Sequence, residues 1–239
     1  MNDSLILLIV IPFIGAFVCL GVKFFHTPRL APIASILAIM FCCAQLTRAY
    51  PALRHQGQVT YIVGGWPALV GIRQFFDGLA WIGCALVMII ALLVLVFAIS
   101  ERRYGYVFYF FYLLMISGMT GVLLAADLFN MFVFFEILGI TCYILIAYFQ
   151  KRQAFLACFK YLVLSSLGMA FFLLGIYILY QQTGALSLFE ICERLGHAPQ
   201  TSSSSIFAMG ALIAGISVRT AYIPFHLSLI HISEPTRPY

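Results

Sequence analysis

Residues 127–149, DLFNMFVFFEILGITCYILIAYF, decide the fold. At about 1.5 Å of rise per residue the run is roughly 33 Å long as a helix, enough to cross a hydrocarbon core of roughly 30 Å. After Asp127 its only charged residue is Glu136. Nine residues separate the two carboxylates, which places Glu136 roughly 13 Å below the outer end, near mid-membrane. A carboxylate is costly at that depth, so it must face a bundle interior, be neutral or be paired. It serves either as a structural hydrogen bond between helices or as a titrating group, and intramembrane ionisable residues are functional by default.

Six further runs of the same kind surround this one: Leu5 to Phe25, Leu30 to Leu46, Gly78 to Ser100, Tyr106 to Ala126, Ala154 to Tyr180 and Ser205 to Ile223. With 64% hydrophobic and only 9% charged residues, the chain has too few polar groups to cover itself with a water-facing surface. Backbone groups must bond internally in lipid, and the runs lack the two-residue alternation of barrel strands. The expected fold is therefore all-α, a polytopic bundle of about seven transmembrane helices. The first run, starting almost at Met1 without a small-residue cleavage site, reads as a retained helix and not a signal peptide.

The net charge of +5 arises from basic residues at helix ends and argues for orientation, not for a nucleic-acid partner. Lys23 and Arg29, Arg102 and Arg103, and Lys151 and Arg152 fall in every second connection. This pattern places those loops inside and the N-terminus outside, in a multi-pass protein of the cell inner (plasma) membrane. Arg48, Arg54 and Arg73 in a longer outer segment obey the rule only in part. The seven cysteines are odd in number, mostly within apolar runs and without metal-site spacing, so they read as small core residues and no metal is expected. The segment Gln58 to Asp77 reads as a short hairpin around Gly64-Gly65-Trp66-Pro67, and Gln181 to Ser204 as a solvated polar connection.

Six further positions bear on the chemistry. Lys160 lies about 9 Å inside its helix, where an ammonium group either snorkels to the interface or exchanges a proton. Arg219 sits in an apolar stretch, and five residues later Pro224 breaks the hydrogen-bond ladder. A helix interrupted in mid-membrane frees backbone groups for ions, whereas a proline at a helix end is merely a stop. Histidine is the side chain suited to proton exchange near neutral pH, but a lone His226 near a helix end reads equally as structural. Asp127 and Asn130 open the central helix; Asn130 reads as a cap, and Asp127 can both cap and gather cations at an aqueous mouth.

The strings YIVGGWPALVGI, DLFNMFVFFEIL, FKYLVLSSLG and VRTAYIPFH occur in this order. Together they resemble the proton-conducting antiporter-like family: the D subunits of the multisubunit (Mrp-type) sodium/proton antiporters and the antiporter-like subunits of respiratory complex I and membrane-bound hydrogenases. The GGWP loop leans toward the Mrp branch. The resemblance implies a fourteen-helix fold with two inverted five-helix repeats, each with an interrupted helix. It also implies a proton pathway in which Glu136 is the family's fifth-helix glutamate, Lys160 its sixth-helix lysine and Arg219 stands where the family has an essential lysine. Arginine does not deprotonate in proteins, so Arg219 can tune Glu136 but cannot relay a proton itself.

Beyond His226 the resemblance stops. The tail LSLIHISEPTRPY reads as translated adapter sequence after a truncated frame, and residues 227–239 are expected to be non-native. The expected organisation is a three-helix segment over 1–104 with an outer hairpin at about 48–76, then an incomplete first repeat over 105–226. Implied partners are other membrane subunits of a hetero-oligomeric antiporter or respiratory complex, protons with sodium or potassium as coupling ion, and the bilayer. No cofactor is expected, since iron–sulfur and haem spacings are absent. Two rival readings remain open: a proton-pumping subunit of an NADH:quinone oxidoreductase or hydrogenase, and a scaffold bundle with static buried pairs. A chain holding only the first repeat is not expected to conduct alone.

Overall fold

The computed structural model describes residues 4–23, 30–63, 72–101, 103–196 and 202–220. By packing these fall into two units, one up to Ala126 and one from Asp127 onward.

The first unit contains α1 (Ser4–Gly21), α2 (Leu30–Gln56), the strands β1 (Gln58–Ile62) and β2 (Arg73–Asp77), α3 (Gly78–Glu101) and α4 (Tyr106–Leu124). α1 packs on α2 and α4, and α3 closes against both of these. Pro12 lies inside α1 and denies the Leu8 carbonyl its helical donor. The facing helix repairs this: Thr120 donates to Leu8 O at 3.3 Å, and Ser117 donates to the adjacent Ile9 O at 2.9 Å. Such side-chain donors are what make a proline tolerable in a membrane helix. Tyr112 similarly donates to Ala91 O at 2.6 Å, tying α4 to α3.

The hairpin expected over residues 58–77 is present as antiparallel β1 and β2, with Gln58 opposite Asp77 and Ile62 opposite Arg73. Its GGWP turn lies outside the described residues. β2 runs directly into α3 because the Asp77 carboxylate accepts the Ala80 N–H at 2.8 Å as an N-cap. α2 extends ten residues beyond the expected Leu46 to Gln56. Hydropathy marks where a helix leaves hydrocarbon, not where it ends, and Arg54 and His55 in the last turn complement the helix dipole.

The second unit contains α5 (Leu128–Ile146), α6 (Arg152–Thr183), α7 (Leu188–Gly196) and α8 (Ser203–Arg219). α6 packs along α8 and against α5. Its buried face, Ser165, Gly168, Met169, Phe172, Gly175, Ile176 and Leu179, repeats at helical spacing. α6 ends at Gly184, whose left-handed φ of 63° suits a residue without Cβ and lets its N–H reach Tyr180 O at 2.7 Å. The next connection is not wholly irregular as read from sequence. It holds α7, a one-sided helix with Ile191 buried and Phe189 exposed. Ser202 caps α8 by accepting the Ser205 N–H at 3.1 Å.

The seven expected runs thus appear as α1 to α6 and α8. Helices α2 to α6 are long and apolar enough to cross a membrane, while the described parts of α1 and α8 are shorter apolar helices. Pro224 and His226, with the expected helix interruption, lie outside the described residues.

Candidate functional site

The second unit gathers its polar side chains on the inner faces of α5, α6 and α8. Asp127 stands at the head of α5, where its carboxylate accepts the Asn130 N–H at 2.6 Å. Asp127, and not Asn130, is therefore the cap. Burial pushes the Asp127 carboxyl above its ordinary range, and the Asn130 and Phe129 N–H groups pull it partly back. Asn130 is itself buried, and its side-chain amide nitrogen has no hydrogen-bond partner among the described residues.

Glu136 is half-buried on α5, and its carboxylate has no hydrogen bond or ion pair among the described residues. Gly139 and Tyr143 follow it at three and seven positions, so all three share one face of the helix. Arg219 reaches this face from the last turn of α8. Its Nη1 donates to Ser165 Oγ on α6 and to the Tyr143 hydroxyl on α5, the latter at 3.4 Å. Its Cζ lies 5.9 Å from the centre of the Phe135 ring, a cation–π distance. Its Nη2 is buried and lacks a partner among the described residues.

Aromatic side chains wall the guanidinium. Phe135 meets Phe172 edge to face at 5.9 Å between centroids, and Tyr143 meets Tyr161 at 5.3 Å. In so apolar a setting a fixed positive charge acts over several ångströms, because little water screens it. The structure therefore brings Arg219 to the helix and the face that carry Glu136, one turn away, without an ion pair between them. Lys160 is elsewhere: it is exposed on α6 among exposed Leu156, Phe159 and Val163, away from the buried Ser165 face.

Gly139, Tyr143, Ser165 and Phe135 were not among the sequence candidates. The signal that could have found the first two is their helical spacing from Glu136. Nothing local to Ser165 announces its guanidinium partner.

The sequence around these residues matches a known family model. Residues 125–236 match the transmembrane domain described as NADH:quinone oxidoreductase/Mrp antiporter. The chain is 32% identical over 219 residues to the D subunit of the Na(+)/H(+) antiporter of Alkalihalophilus pseudofirmus, an alignment covering 89% of this chain and 43% of that protein. The chain is a homologue of the antiporter-like membrane subunits. The N subunit of the NADH-quinone oxidoreductase of Desulforudis audaxviator is 34% identical over 172 residues, which cover 70% of this chain and 34% of that one. The fold matches a chain of the Mrp complex from Dietzia sp. DQ12-45-1b with a TM-score of 0.84 at 22% identity, over 95% of this chain and 42% of that chain. This antiporter-like chain is accordingly a multi-pass membrane protein, and it spans less than half the length of the relatives it matches.

Proposed function

We propose that the chain is a proton-translocating membrane subunit of a multisubunit monovalent cation/proton antiporter, in which Glu136 takes up and releases a proton under the control of Arg219. The observation that carries this reading is the Arg219 guanidinium, held on the Glu136 face of α5 by Ser165 and Tyr143 inside an apolar bundle. Approach of a cation favours an ionised carboxylate, and its withdrawal favours the protonated one. A small shift between the two side chains thus switches Glu136 between releasing and holding its proton. Arg219 keeps its charge throughout and acts as the fixed electrostatic reference.

Asp127 is the entry group of this pathway, half-buried at the head of α5, and His226 lies beyond Pro224 on the far side of Arg219 in sequence. Lys160 passes protons onward on the outer face of α6, toward neighbouring membrane subunits. The alternating basic connections support an N-terminus outside the cell and residence in the inner membrane. The likeness to the NADH-quinone oxidoreductase relative supports a second reading, in which the same relay serves a proton-pumping NADH:quinone oxidoreductase. Genes for small antiporter subunits beside this one would favour the first, and genes for redox subunits the second.

The test is Glu136→Gln in the intact complex, assayed as cation-driven proton movement in everted membrane vesicles. The substitution preserves shape and hydrogen bonding while removing titration. Loss of most proton-coupled transport is expected with the complex still assembled. Unchanged transport would overturn the proposal and leave a scaffold with static polar groups.

A further inference from the structure

Gly139 is buried in the middle of α5, and the space where its side chain would stand is filled by Arg219. A Cβ at position 139 would lie 2.5 Å from Nη2, 2.7 Å from Nη1 and 3.0 Å from Cζ. All three nearest atoms belong to the guanidinium. At Gly168, Gly175 and Gly215, by contrast, a Cβ meets backbone or core side chains of the facing helix. Gly139 instead has a charged group nearest to it. It makes a notch for a charge.

In an open site a guanidinium would swing aside from an added methyl group at little cost. Here the swing is opposed from three sides. Nη1 bonds Ser165 and Tyr143, and Cζ rests over Phe135. Nη2 lies against the backbone of Gly139, buried and without a hydrogen-bond partner among the described residues. A group in that state is held by the shape around it and by the bonds of its sister nitrogen, since none of its own remain.

We propose that Gly139 is the positioning residue for Arg219, its missing Cβ forming a seat that fixes the permanent charge one turn of α5 from Glu136. The geometry is independent of the proton-relay reading; the consequence for transport rests on it. The seat is specific for a planar fork. A lysine ends in one ammonium nitrogen on a flexible stem and can turn away from position 139, whereas the guanidinium puts three heavy atoms there at once.

The experiment is a double-mutant cycle in the intact complex: G139A, R219K and G139A/R219K, with heat stability in membranes and the pH profile of transport as separate readouts. Alanine is the better helix former, so without the seat G139A should stabilise α5. With Arg219 present, G139A is expected to lower heat stability and reduce transport about tenfold, the scale of one lost hydrogen bond to a charged group. It should also displace the pH optimum. In the R219K background the same alanine is expected to be neutral or stabilising, and the double variant to transport as well as R219K alone. Accumulation of G139A/R219K but not of G139A would support the seat equally.

An alanine that costs the same in the native and R219K backgrounds, or costs nothing beside Arg219, would overturn it. The two readings fail separately. If heat stability shows the coupling while transport ignores all three variants, the seat stands and the relay falls. If E136Q abolishes transport while positions 139 and 219 do not couple, the relay stands and the seat falls.

Discussion

Gly215→Ala probes the contact between α6 and α8 that carries Arg219 into its site. A Cβ at position 215 would stand 2.7 Å from Gly168 O, 2.7 Å from Phe172 Cβ and 3.0 Å from Phe172 N. Ordinary contact begins at 3.4 Å, so α8 must retreat by roughly 0.7 Å along that line. Two of the three obstructing atoms are backbone, and no rotamer change relieves them. Overpacking of this kind costs about 1–3 kcal/mol. The retreat would also carry Arg219, one turn farther along, away from Ser165 on α6. Gly210→Ala in the same helix is the control, because a Cβ there meets nothing within 4 Å. That change should be neutral or stabilising by up to about 1 kcal/mol from helix propensity alone. The assay is the thermal midpoint of the detergent-solubilised complex, with transport measured in parallel. If Gly215→Ala melts no earlier than Gly210→Ala, the close approach of α6 and α8 is not what supports the site.

Two further outcomes test the ends of the helices. Asp127→Asn keeps a good N-cap but removes a titrating group. Because the native carboxyl is raised above its ordinary 3.8, the folded protein holds that proton more tightly than the unfolded chain does. Its contribution to stability is full below 3.8 and is lost as pH rises through the raised value. Acidification from neutrality toward about pH 4 should therefore help the native protein more than the Asn variant, read as the difference in melting temperature across pH; parallel profiles would refute the assignment. The exposed Cys192 on α7 tests orientation. A membrane-impermeant maleimide added to intact cells should label Cys192 and leave the buried Cys19, Cys42 and Cys84 untouched. Labelling only after the cells are opened would invert the topology.

What the sequence made legible follows from which forces are local. Seven apolar runs announced seven helices because crossing hydrocarbon is a property of each segment alone. Glu136 stood out for the same reason, as one charge in a run that should have none. The extension of α2 to Gln56 and the short helix α7 were hidden, since both lie where water competes for the backbone and hydropathy is silent. Ser165 was hidden differently. Its role depends on Arg219, which is 54 positions away, and no local pattern encodes which face of α6 meets the end of α8.

Glycine makes the same point more sharply, because one residue type does two jobs in a single unit. At Gly168, Gly175 and Gly215 the missing Cβ lets α6 and α8 approach until backbone meets backbone, with Gly168 O and Ala208 O among the nearest atoms. Close packing of small residues is how helices associate in lipid, where apolar burial offers no net drive. At Gly139 the missing Cβ admits a charged group, the Arg219 guanidinium. The first device brings α8 close to α6; the second tells the end of α8 where to place its charge. Neither suffices alone, because a guanidinium on a helix free to slide would find its seat only part of the time. Tight backbone contact one turn before Arg219 is therefore a condition for a fixed charge beside Glu136, and a displaced α8 should mimic the loss of the seat even with Gly139 intact.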